Sequence, residues 1–298
     1  MEVHCSRQGG KNHANAPRYI KIRGLLGKFY GPMFRGAHWF LRRSGLYARG
    51  ARNALDIQRT AFELRLKGLP AGFDGYRILH LSDLHLDMID GLDHAIAIVT
   101  KGLSVDLCVM TGDYRSRFFG PFDHVVDAMK DIMSGIESRD GFLVTLGNHD
   151  EHAMADAFEA ISLLVLVNES VLLERGGSFI HLTGVDDVNR FYTPAADAAL
   201  SLPEGAYGIV LVHSPEMAAA AAEAGYGLYL CGHTHGGQIC LPGGIPVIVN
   251  LKRHYFYSKG LWKHGAMRGY TSRGAGLCGL PARFFSRGEI TVITLRAI

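Results

Sequence analysis

Five apolar runs in this chain break off into residues that bind metals. The stretches 76–83, 105–110, 142–146, 207–212 and 227–231 lead into Asp83-Leu84-His85, Gly112-Asp113, Gly147-Asn148-His149-Asp150, Val212-His213 and Gly232-His233-Thr234-His235-Gly236. A short apolar run bounded by glycine and polar residues reads as a buried strand. Polar side chains placed repeatedly where such strands stop converge at one edge of an open α/β sheet, which is where ligands bind. Helical periods near 91–102, 121–134, 151–160, 195–201 and 216–224 alternate with these runs, and further strands are expected at 62–67, 171–174 and 178–184. The pattern predicts an α/β fold of layered αββα type. After residue 245 helix gives way to strand and loop, with IPVIVN and EITVITL as strands. With 298 residues, 48% of them hydrophobic and 20% charged, the chain is long and apolar enough to bury a single large core.

Period-two geometry puts Asp83 and His85 on one side of an extended segment, and likewise His233 and His235. A first metal would take Asp83, His85 and His235, and a second would take Asn148, His213 and His233. Asp113 is suited to bridge them, one oxygen to each ion. Seven mixed donors are too many for one tetrahedral site. Oxygen and imidazole donors suit two divalent ions, manganese first, with iron, zinc, cobalt or nickel as alternatives, and they express no thiolate preference. Two such ions about 3.5–4 Å apart share and acidify a hydroxide and hold phosphate oxygens for in-line attack. Arg115 and Arg117, in the loop after Asp113, and Arg273, in GYTSRGAG, are substrate-contact candidates because guanidinium groups pair with phosphate. Bracing of loops is the competing role for each. His254 and His264 are weaker candidates.

The segments DLH, GDY, GNHD, VHSPE and GHTHGG resemble the signature blocks of the calcineurin-like metallophosphoesterases over about residues 76–238. The ending, with GYTSRGAG, LPARFF and EITVITL, resembles a bacterial subgroup of small phosphodiesterases that includes a form of UDP-2,3-diacylglucosamine pyrophosphatase. The resemblance implies a four-layer αββα sandwich with two central, mostly mixed sheets and a dinuclear centre. It carries the ligand role onto Asp83, His85, Asp113, Asn148, His213, His233 and His235. It also marks His149 as the catalytic histidine beside the substrate phosphate, with Asn148 next to the same group. Asp150, where many relatives carry Glu, is expected to orient His149. The implied reaction is hydrolysis of a phosphodiester or phosphomonoester by metal-activated hydroxide. Alternatives are a membrane-surface UDP-2,3-diacylglucosamine pyrophosphatase acting in lipid A synthesis, a nuclease, and a noncatalytic metal-stabilised binding protein.

Charge divides the chain. Residues 1–70 hold 14 of the 31 basic residues and 3 of the 28 acidic ones, which leaves the remainder acidic. That imbalance argues against a general nucleic-acid surface on the main body. Residues 1–50 are expected to form a flexible basic tail and amphipathic arm, and 51–298 the catalytic domain. Within 19–49, Leu25, Phe29, Phe34, Trp39 and Phe40 interleave with Lys and Arg, a mixture suited to short helices on an anionic membrane. The same arm could instead pack on the domain or roof the site. Five cysteines without a CxxC pair disfavour a disulfide scaffold, and no run reaches the ~18 apolar residues of a spanning helix. A cytoplasmic location follows as the expectation, at most peripheral on the inner face of the membrane. Phosphorylated small molecules or lipid-linked nucleotides are the expected substrates, and oligomeric state is left open.

Overall fold

Alternation along the strands builds three separate cores. In a computed structural model, which describes residues 6–8, 27–251 and 255–298, the strand Arg77–Leu81 turns Ile78 one way and Leu79 and Leu81 the other. The strand Leu107–Thr111 does the same with Leu107 and Val109 against Cys108 and Met110. Ile78, Leu107, Val109 and Leu143 meet Leu182, Leu211 and Leu230 of a second sheet, and this contact is the central core. The opposite face of the first sheet is covered by the helices Leu92–Thr100, Asp123–Ser134 and Ala153–Glu159 through Ile96, Met129 and Phe158. The outer face of the second sheet packs Val210 and Tyr229 against the helices Pro194–Ala199 and Ala218–Glu223. Period-two burial on both faces yields the expected αββα sandwich.

Both sheets are mixed. The first runs Gln58–Leu66, Glu289–Ala297, Arg77–Leu81, Leu107–Thr111, Phe142–Thr145, Leu164–Val165, with only the Glu289–Ala297 to Arg77–Leu81 pairing antiparallel. In the second, Ser178–Val185, Gly208–Val212, Leu228–Cys231 and Met267–Thr271 are parallel neighbours. Glu169–Arg175 and Gly260–His264 flank them as antiparallel partners. Arg77–Leu81, Leu107–Thr111 and Phe142–Thr145 of the first sheet run one way, opposite to Gln58–Leu66 and Glu289–Ala297, and their exits meet those of Gly208–Val212 and Leu228–Cys231 of the second sheet.

Four expectations shift. The strand expected at 62–67 begins earlier, at Gln58, because Glu289–Ala297 pairs with it along its whole length. Of IPVIVN only Ile245–Pro246 is strand, paired with Cys240–Leu241. Val247 and Ile248 continue as an exposed loop. Ser6–Gln8, expected to belong to a flexible tail, adds to the open edge of Glu169–Arg175, where an edge strand offers unpaired backbone groups. The basic arm forms the helices Gly27–Arg43 and Leu46–Leu55, and the second of these spans the boundary expected between residues 50 and 51. Its Gly50 lies so close to the chain near 282–284 that a Cβ there would sit 2.6 Å from that of Ala282, and the Arg283 N–H donates to Gly50 O. Residues 19–26 and His254 lie outside the described residues.

Candidate metal centre

The strand exits deliver their polar residues through strained turns. Asp83, His85, Asp113, His233 and His235 have φ of 51°, 41°, 59°, 72° and 52°. This left-handed region disfavours every side chain with a Cβ, at about 1–2 kcal/mol per residue. Five of the seven expected ligands therefore sit in backbone conformations that the surrounding fold must impose. Glycines make the crowding feasible. A Cβ on Gly147 would lie 2.3 Å from Asp113 Oδ1, and one on Gly232 would lie 2.1 Å from Asp83 Oδ2.

All seven expected ligands meet around Asp113. Its Oδ2 faces His213 Nε2 at 3.3 Å and His85 Nε2 at 3.5 Å, while its Oδ1 accepts the His149 backbone N–H at 2.8 Å. On one side, Asp83 Oδ1 is 3.5 Å from His235 Nε2. On the other, His213 Nε2 is 3.2 Å from Asn148 Oδ1 and 3.1 Å from His233 Nδ1. Asp83, His85 and Asp113 form one compact group of possible ligand atoms, and Asp113, His213 and His233 form another. Asp113 is common to both, as a bridging carboxylate must be.

The donor atoms are prepared for a cation. His85 Nδ1 lies 2.9 Å from Arg115 O and His213 Nδ1 2.8 Å from Thr111 O. With Nδ1–H on each carbonyl, Nε2 of each ring points inward, the orientation that outer hydrogen bonds give to metal-binding histidines. His85 Nε2 and His235 Nδ1 are buried with no hydrogen-bond partner, and nitrogens left so are otherwise disfavoured. Burial pushes His85 and His233 down to about 3 and His235 well below its ordinary range, so these rings are neutral and carry free lone pairs. Burial would raise the Asp113 carboxyl, yet His213, His149 and His85 hold it well below the usual carboxylate range. The same attraction, against burial, holds His213 well above the ordinary imidazole value. These carboxylates draw positive charge into a dry interior, and the residues present fit divalent ions.

His149 stands beside this cluster. Its ring stacks on Phe118 with centroids 4.1 Å apart, its Nδ1 meets Ser116 O at 2.6 Å, and Nε2 lies 3.9 Å from Asp113 Oδ2. Asp150 does not take the orienting role expected of it. Its Oδ2 accepts the N–H groups of Asp113 and Gly147, both at 2.7 Å, and its Oδ1 accepts that of Tyr114 at 3.0 Å. The carboxylate ties two ligand loops together through their backbones.

Two of the three arginines depart from the expected substrate contacts. Arg115 is 1% exposed and spends its guanidinium on the carbonyls of His149, Gly120 and Phe118 and on Glu151. Arg273 is paired with Glu289 through both Nε and a terminal nitrogen. Arg117 is exposed, and its backbone N–H donates to Asp87. Bracing of loops is the role the geometry gives the first two. His264 meets the Tyr257 hydroxyl at the far end of its strand from the centre.

Several residues at the site escaped sequence reasoning. Arg283, wholly buried, donates to Gly276 O, Gly274 O and His235 O and so ties the C-terminal loop to the histidine loop. Burial lowers its guanidinium to about 10, which still leaves it charged near neutrality. Arg190 donates to Asn148 O at 3.1 Å and lies over Phe118. It follows GVDDVN, where an apolar strand again stops at acidic residues, a signal of the kind used for the ligands. Asn250 Nδ2 approaches His233 Nε2 at 3.2 Å. Cys278 Sγ is 3.8 Å from His149 Nε2.

A cleft of about 530 Å³ opens from this centre, with His149, His233 and His235 in its lining. Val247, Ile248 and Leu280 form part of its apolar wall. Met33, Phe34 and Ala37, from the helix Gly27–Arg43, close another side. The opposite face of that helix carries Trp39, 63% exposed, with the exposed Arg35, Arg42 and Arg43, while Phe40, 57% exposed, stands three residues beyond Ala37 and seven beyond Met33 on the cleft side. Among the described residues no helix is long and apolar enough to cross a membrane.

The model for the calcineurin-like phosphoesterase family matches residues 76–237. The chain is 32% identical over 251 residues to the uncharacterized metallophosphoesterase YkuE of Bacillus subtilis, an alignment covering 81% of this chain and 86% of that protein. It is 30% identical over 251 residues to YkoQ of the same organism, covering 80% and 91%. It is 30% identical over 236 residues to the phosphodiesterase YaeI of Escherichia coli, covering 74% and 82%. The chain belongs to the calcineurin-like phosphoesterase family. With its buried clusters of metal-ligating His and Asp, it is a metal-dependent phosphoesterase.

The three backbone bonds to Asp150 give a prediction. Asp150→Ala strips a charged acceptor from three buried N–H groups, a loss of about 3 kcal/mol or more in urea unfolding, and divalent-ion affinity falls with it. The pH profile of the remaining turnover keeps its shape. Unfolding within about 0.5 kcal/mol of wild type, together with a displaced pH profile, would restore Asp150 as the partner of His149.

Proposed function

We propose that the protein cleaves an amphiphilic phosphodiester or pyrophosphate drawn from an anionic membrane surface, at a centre of two divalent ions. The observation that carries this reading is the cleft, with His233, His235 and His149 in its lining and apolar side chains on two sides. Asp83, His85 and His235 would hold one ion, and Asn148, His213 and His233 the other, with Asp113 between them. Bound ions supply Lewis acidity toward phosphate oxygens and an acidified water.

The chain's own residues do the rest. Arg115 O and Thr111 O fix the rings of His85 and His213, and Asp150 locks the Asp113 and Gly147 loops in register. With Nδ1–H of His149 held on Ser116 O, a second proton at Nε2 faces the cleft and is available to the departing oxygen. Phe118, stacked on that ring, keeps it in place and shields one face from water.

The helix Gly27–Arg43 has two jobs in this scheme, divided between its faces. Phe34 and Met33 line the cleft and contact an acyl chain, whereas Trp39 and the neighbouring Arg35, Arg42 and Arg43 meet the bilayer. Support for the phosphodiester assignment comes from the similarity to YaeI, named as a phosphodiesterase.

His149→Ala lowers kcat roughly 10²-fold on a substrate with a poor leaving group while bound metal per chain is unchanged. Near-normal turnover on both poor and good leaving groups would remove His149 from proton transfer.

The faces of the helix are tested separately. Phe34→Ser raises KM about tenfold for UDP-2,3-diacylglucosamine in detergent, the worth of one buried aromatic contact, and leaves a soluble aryl phosphodiester unaffected. Trp39→Ser instead weakens cosedimentation with anionic vesicles, as does added salt, and leaves detergent kinetics intact. Equal effects of Phe34→Ser on both substrates, with vesicle binding untouched by Trp39→Ser, would refute the amphiphilic assignment.

A further inference from the structure

Sequence reasoning assigned no thiol to the metal centre, yet one stands at its edge. The Cys278 Sγ and one ligand nitrogen from each of His85 and His235 all lie within 4.8 Å of one another. The sulfur is held there by the histidine loop itself. The Cys278 N–H donates to Gln238 Oε1 at 2.8 Å, and Gln238 Nε2 donates to Leu280 O at 2.8 Å. Gln238, three residues beyond His235, is itself in the left-handed region with φ 49°. The buried thiols nearby are engaged elsewhere, Cys231 with Thr271 Oγ1 at 3.2 Å and Cys240 with Gly236 O at 3.4 Å.

A second observation points to a ligand at the same place. His85 Nε2 is fully buried and without a hydrogen-bond partner, its Nδ1–H being engaged by Arg115 O. Imidazole nitrogens, a carboxylate 3.5 Å from His235 and a thiol gathered around one point offer the mixed donors of a cation's coordination sphere.

We propose that Cys278 is a thiolate ligand of the ion held by Asp83, His85 and His235, an inference that rests on the metal centre described above. On binding, the S–H bond breaks, a sulfur–metal bond forms and the proton passes to solvent, so loading through this residue releases one proton. Soft sulfur turns this position toward zinc, ferrous iron or cobalt. The position of Asn148, His213 and His233 offers only oxygen and nitrogen, and manganese suits it. The two halves of the centre thus differ in metal preference, a distinction that the seven nitrogen and oxygen donors alone do not make.

The test uses the full chain reconstituted with cobalt(II). Wild type is expected to show a near-ultraviolet thiolate-to-cobalt charge-transfer band that Cys278→Ser lacks. The variant should bind cobalt and zinc about 10–100-fold more weakly, with manganese binding changed less than about twofold. In the unmutated protein, cobalt loading should slow alkylation of Cys278 about tenfold, read by peptide mapping, since a ligated sulfur is no longer a nucleophile. Cobalt bound with no such band, a band that survives in Cys278→Ser, or equal alkylation with and without metal would overturn the proposal while leaving the metal centre intact. Failure of wild type to bind any divalent ion would overturn both.

Discussion

The arrangement around Asp113 is the constraint on which the rest of the site depends. One buried carboxylate faces His85, His213 and His149 within 3.9 Å, in an interior that penalises every charge not compensated by another. The fold meets that penalty chiefly through its backbone. Left-handed turns place the ligands, glycines let the loops touch, and the Asp150 carboxylate gathers three N–H groups from two of those loops. Because those strand exits meet, these devices act on one spot. A cation bound among these donors would offset the cost of strained turns and crowded polar groups, the general linkage of metal binding to folding.

Much of the centre was legible because strand exits are written locally. An apolar run followed by Gly and a ligating residue announces both the strand and the place where its chemistry emerges, and all seven ligand candidates assemble at those exits. Roles that depend on tertiary partners were not legible. Asp150 follows His149 in sequence and looks like its orienting group, but Gly147 folds back so that Asp150 reaches the backbone of the neighbouring strand exit instead. Arg115 and Arg273 carry the right chemistry for phosphate, but Glu151, Glu289 and loop carbonyls claim them. A single sequence shows the charge of a guanidinium and not the acceptors that surround it.

The fold was legible in its layers and less so at its margins. Alternating burial in Arg77–Leu81 and Leu107–Thr111 gives two packed faces to one sheet, and that pattern is visible in the residues. IPVIVN has the same composition, but a strand needs a partner beyond the two residues that find one, and Val247 and Ile248 become a wall of the cleft. The basic arm shows the complementary case. Its aromatic residues read as an amphipathic helix, whereas its contact with Gly279, where an added Cβ would lie 2.9 Å from Phe34, could be found only in three dimensions. That contact couples a sequence feature suited to membranes with the mouth of a hydrolytic site.

The central claim is that the chain is built around a pair of cations sharing the Asp113 carboxylate. Anomalous diffraction from crystals grown with saturating divalent metal tests it most directly. The account predicts two peaks per chain, both against the Asp113 carboxylate, the first within reach of Asp83, His85 and His235 and the second within reach of Asn148, His213 and His233. A single peak at saturation, or peaks that leave Asp113 uncoordinated, would contradict it.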